Sequence, residues 1–138
     1  MTHPLPAYAY IPGKTPRHPE GTFDDIISFL PDNIKVETLC TLPAFQSALN
    51  FMDHDFHWEA HEVMEAIWMN TAQNSVERLF VQCVIHLANA NLKRIMKREA
   101  AAKKIMTQAN SILVEVSRRA PESLAISELE QIYRTYAL

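Results

Sequence analysis

Glycine is almost missing from the 138 residues: only Gly13 and Gly21 occur, and none follows them. Loops that cradle phosphate or open a dinucleotide fold need glycine where backbone must approach the ligand or pass through positive φ, so P-loop and Rossmann readings fail. A serine-nucleophile elbow fails for the same reason. Cysteine is as scarce. Cys40 and Cys83 lie far apart, the second inside an apolar run, and read as reduced small hydrophobes in a cytoplasmic protein rather than as a disulfide or a metal knuckle. The chain lacks a cationic start followed by an apolar segment, and no run approaches bilayer length, so a soluble, unexported protein without a membrane partner is expected. Basic excess is missing too: a net charge of -3 and a pI near 6.0 argue against a dedicated nucleic-acid partner. No segment alternates convincingly enough for a strand, and there is no internal repeat.

What is present suits one core, with 48% hydrophobic and 21% charged residues. Two domain-level parts are expected, an extended N-terminal arm over 1–21 and a single helical domain over 22–138. Pro4, Pro6, Pro12, Pro16 and Pro19 fix φ and remove donors in the arm, while Tyr8 and Tyr10 make it too aromatic for mere disorder. It should lie against the domain.

Beyond the arm, Thr22 and Asp25 suggest a short helix that Pro31 stops, followed by loop over 32–41. Pro43 opens a helix to about 52, and Asp53 or Asp55 would cap the next, about 56–70. Ser75 is the N-cap of a long helix to about 98, whose broad apolar arc makes it central. A clean amphipathic helix follows over 99–119, and Ser127-Glu128-Leu129-Glu130 reads as a capping box for a last one. The expected fold is all-α: an antiparallel helical bundle of about five helices with an extended proline-rich arm.

The segment Phe56 to Trp68 carries three carboxylates, two imidazoles and two indoles on one helix. At roughly 100° per residue, Phe56, Ala60, Val63 and Ile67 form an apolar stripe, while Trp58, His61, Glu62, Glu65 and Trp68 gather on another side. His61-Glu62-x-x-Glu65 resembles a zinc-hydrolase helix with its second histidine replaced, and His61 and Glu65 at i and i+4 could share a divalent transition metal. On the long helix Gln82, His86, Asn89 and Lys93 form a polar stripe. Facing the tryptophan helix, it would complete a cleft holding His61, Glu62, Glu65, Gln82 and His86, floored by Trp58 or Trp68. Arg17 of the arm would pair with Glu62 or Glu65, and Tyr8 or Tyr10 would cover a tryptophan. His54 and His57 read as exposed or capping neighbours.

Trp58-Glu59-Ala60-His61-Glu62-Val63-Met64-Glu65-Ala66-Ile67-Trp68 and Phe80-Val81-Gln82-Cys83-Val84-Ile85-His86-Leu87-Ala88 together resemble the two helical hallmarks of the small proteins catalogued as domain of unknown function 309. Tyr10-Ile11-Pro12-Gly13-Lys14 through Glu20 is similar to the leader of a bacterial branch, and the likeness spans about residues 8–117. The resemblance implies an all-α bundle and no established activity. Asp55 stands near a usual glycine turn and His57 where an aromatic is common, so no role carries onto His54 or His57.

Three functions follow as alternatives. In the first the chain is a binding module whose cleft holds a small molecule or a partner segment, with no cofactor. In the second it is a metal-dependent hydrolase with His61, Glu65 and His86 as ligands and Glu62 as general base. In the third the polar cluster is a structural network and an exposed face makes a homodimer.

Overall fold

A computed structural model describes residues 3–138. Among these the secondary structure is all helical: α1 Asp24–Ile27, α2 Val36–Leu39, α3 Pro43–Asp53, α4 His57–Met69, α5 Val76–Ile95, α6 Glu99–Arg119 and α7 Leu124–Tyr136. Seven helices replace the expected five or so. The excess comes partly from α2, a single turn in the segment expected to be loop, too short to show a period. Its first N–H, that of Val36, is held by the Glu77 carboxylate at 2.9 Å. The last helix also starts earlier than expected. Ser123, not Ser127, is its cap, and the Ser123 hydroxyl accepts the Ile126 N–H at 3.3 Å.

α5 is the axis of the fold. It buries Phe80, Val81, Cys83, Val84, Leu87, Ala88 and Leu92 and packs on α6, α4 and α7. Ser75 caps it as expected, accepting the Arg78 N–H at 3.1 Å. On α6 the fully buried residues are Ala102, Ala109 and Val116, a seven-residue repeat of small side chains that lets the backbones approach closely. The Cys83 thiol accordingly donates to the Ala109 carbonyl at 3.4 Å. α3 contributes Phe45 and Phe51, with the Phe45 ring edge-on to Phe80 at 5.9 Å. α7 is tied at its end, where Asn91 Nδ2 donates to the Tyr136 carbonyl at 2.9 Å and the Tyr136 hydroxyl donates to Asp53.

The missing glycines have a visible substitute at the turns. Asp55, Asn74 and Lys97 sit at φ 66, 59 and 62 in the α3–α4, α4–α5 and α5–α6 connections. Asp55 and Lys97 directly follow the C-caps of α3 and α5, and Asn74 directly precedes the N-cap of α5; each left-handed residue redirects the chain. Asp55 therefore does not cap α4, nor does Asp53, the last residue of α3; Phe56 is the N-cap position and makes no side-chain bond there. Residues 3–22 contain turns and no helix. No helix among the described residues is long and apolar enough to cross a membrane.

Candidate functional site

α4 packs against α3 and α5, meets α1, and leaves one side facing outward. Ala60, Val63, Met64 and Ile67 are buried against α3 and α5, as the apolar stripe requires. On the outward side, His61 Nε2 lies 3.2 Å from Glu65 Oε1, and His61 Nδ1 lies 3.5 Å from Glu62 Oε1. The second contact is within ion-pair range but makes no hydrogen bond, and Nδ1 is buried without a partner. One donor atom from each of His61, Glu62 and Glu65 falls within 4.8 Å of the others. These contacts are all internal to α4, set by the i, i+1 and i, i+4 geometry of the helix itself.

The rest of the expected cleft is distributed differently. His86 on α5 is half-buried and near enough to feel His61: burial first, and the His61 charge second, hold its imidazole below the ordinary 6.5. It does not join the group of convergent donors. Gln82, also half-buried, makes no side-chain hydrogen bond to that group among the described residues. Trp58 and Trp68 do not floor one cleft, because ten residues of helix separate them by about 15 Å. Trp68 lies beneath the Arg78 guanidinium, 4.1 Å from its ring centroid, with its indole N–H buried and unpartnered.

Trp58 of α4 packs against the arm. Tyr10 meets it edge-on at 4.9 Å and 83°, so a tyrosine does cover a tryptophan. The charged anchor is not the expected one. Arg17 makes no ion pair with Glu62 or Glu65; it is exposed and stands over the Tyr10 ring at 5.7 Å. The arm is instead fastened to Glu59, whose side chain is 0% exposed. Glu59 Oε2 accepts the Tyr10 N–H at 2.7 Å and lies 2.5 Å from Nε2 of His18, itself only 5% exposed. The His18 ring is stacked on Tyr8 at 4.7 Å and set edge-on to Phe23 at 5.6 Å. The preference for His18 over Arg17 has a physical reason. A guanidinium stays charged and must be desolvated with its five donors, whereas a flat imidazole offers one donor and two apolar faces.

Glu59 and His18 escaped the sequence reading, though Glu59 left a trace. It sits about 40° from Val63 around the helix, on the flank of the apolar stripe where a carboxylate must find a partner.

His57 is also a correction: it is 3% exposed rather than a surface residue, and its Nε2 lies 3.3 Å from Asp55 Oδ1. Burial pushes its imidazole below 6.5, with Asp55 opposing and Arg94 adding to the shift. The fold thus favours neutral His57 and neutral His86. Their contribution to stability is complete above the unfolded value of 6.5 and is lost as pH falls below it toward their folded values. We expect the urea midpoint to fall between about pH 7.5 and about pH 5, and His57→Gln to flatten that dependence. An unchanged slope in His57→Gln would assign the acid sensitivity elsewhere. Burial pushes the Cys83 thiol up to about 12, and burial with the nearby Glu128 carboxylate pushes Cys40 up to about 11, which disfavours the thiolate at both.

No curated protein and no solved structure matches the chain. The arm, with Tyr10 and His18, and the whole of α7 lie outside the family match over residues 45–105, which is narrower than the 8–117 span of the motifs and runs through the α4 group, Gln82 and His86. Residues 45–105 match the model of the family described as Domain of unknown function (DUF309).

Proposed function

We propose that the protein is a binding module for a small cation, held on the outward flank of α4 by His61, Glu62 and Glu65. The observation that carries this is the convergence of one imidazole nitrogen and two carboxylate oxygens within 4.8 Å on a single rigid helix. A neutral imidazole with two carboxylates suits a divalent transition metal, and three donors from one side leave positions for water or a further ligand. The structural-network alternative fits Glu59 better than this group. Glu59 joins α4 to the arm, whereas the contacts of His61, Glu62 and Glu65 lie within α4 and fix no other element. The hydrolase alternative needs Glu62 free as a base, but its oxygen is one of the convergent donors.

Calorimetric titration of the full chain with Zn2+ and with Mn2+ tests this. We expect one ion per chain, with affinity reduced at least about tenfold in His61→Ala and in Glu65→Gln, because each removes a ligand from a three-donor set. Glu65 is exposed, so its variant should retain the fold. A wild-type chain that takes up neither ion at millimolar concentration overturns the proposal.

A further inference from the structure

We propose that the arm and α4 enclose a second site, distinct from the His61 group, which takes an organic cation: an ammonium or guanidinium carried on a flat apolar body. A cavity of about 490 Å³ lies between the arm, the turn that follows it and the first turns of α4. That size falls within the ordinary range for small-molecule pockets. Its walls combine two chemistries. Phe23 and Trp58 supply aromatic surface, while Glu20, Asp24 and Glu62 supply carboxylates, against the single fixed cation Arg17. Aromatic faces attract cations through the ring quadrupole, and carboxylates add charge and hydrogen-bond acceptors. An anion would meet three carboxylates, and a neutral ligand would leave them without use. The rim already shows the pairing, with the Arg17 guanidinium over the Tyr10 ring at 5.7 Å.

The walls are also built in advance. Trp58 is held by Tyr10 at 4.9 Å and by His18 at 5.9 Å, so its ring need not be ordered on binding. Asp24 is placed by the turn: Gly21 adopts φ +82, and a Cβ there would meet Asp24 Oδ2 at 3.0 Å. Glu62 is the one residue common to both sites.

The experiment is a titration of the full-length chain, in chelator, with benzylamine, benzyl alcohol and benzoate, followed through the two indole N–H resonances. We expect benzylamine to shift the Trp58 signal saturably and leave Trp68 in place, with no saturable response to benzoate and at least a fivefold weaker one to benzyl alcohol. Glu20→Gln and Asp24→Asn, both at exposed positions, should each weaken benzylamine at least threefold without moving the melting temperature. His61→Ala should leave it unchanged. Benzyl alcohol binding as well as benzylamine, or no saturable shift with any probe, overturns the cation site. Loss of benzylamine binding in a folded His61→Ala chain overturns the separation into two sites.

Discussion

Deletion of residues 1–20 is expected to lower the unfolding free energy by about 3–5 kcal/mol, the scale on which leaving a buried carboxylate without its partner destabilises a protein. The arm supplies both groups that meet Glu59 Oε2, the Tyr10 N–H at 2.7 Å and His18 Nε2 at 2.5 Å, and Glu59 Oε1 is already without a partner. Without the arm, the carboxylate on α4 loses its hydrogen bonds and Trp58 loses the Tyr10 and His18 rings. Urea unfolding and indole fluorescence measure both effects. Two companion variants identify the cause. His18→Ala should reproduce most of the loss, and Glu59→Gln placed in the deleted chain should recover part of it, because an amide costs less to leave unpaired than a carboxylate. A deleted chain that unfolds at the wild-type midpoint with unchanged fluorescence would show that the arm contributes nothing to the fold.

Replacement of Arg78 by alanine should cost about 2–4 kcal/mol, since hydrogen bonds from charged donors are each worth more than neutral ones. Its guanidinium closes the end of α4. Nη2 donates to the Trp68 carbonyl at 3.1 Å and to the Thr71 carbonyl at 2.8 Å, while Nε donates to the Thr71 hydroxyl at 3.0 Å. The same plane covers the Trp68 ring. Lysine should rescue little, because an ammonium lacks the flat fork that serves two carbonyls and a hydroxyl while stacking. Differential scanning calorimetry of Arg78→Ala and Arg78→Lys decides it. A lysine variant as stable as wild type would reduce the contribution to charge alone.

The helices of several turns are legible because their apolar residues repeat: α6 matches the expected span of about 99–119, α3 and α4 agree within one residue at each end, and α5 stops at Ile95, short of the expected 98. α2, at four residues, is not, because one turn carries no period. The Ser127 box was misread because Ser123 offers the same chemistry one turn earlier, and only packing of Ala125 and Ile126 chooses between them. The site divides in the same way. His61, Glu62 and Glu65 were foreseeable since neighbours on one helix meet by geometry alone. The Glu59 to His18 contact joins residues 41 apart, and nothing local in the chain selects histidine over the arginine beside it. The left-handed Asp55 was concealed as well, because an aspartate before a helix reads as a cap and carries no mark of the positive φ that a glycine would announce.

The order of synthesis gives the proline-rich arm a second meaning. Tyr10 and His18 leave the ribosome 49 and 41 residues before Glu59, their anchor. At about 5–20 residues per second, they wait for several seconds with aromatic rings exposed and no surface to cover them. An aromatic segment in that condition is a template for strand pairing between nascent chains. Pro4, Pro6, Pro12, Pro16 and Pro19 withhold N–H groups that such a ladder needs, at intervals that keep any uninterrupted strand short. The same prolines that keep helix out of the arm where it lies on α4 thereby protect it before α4 exists.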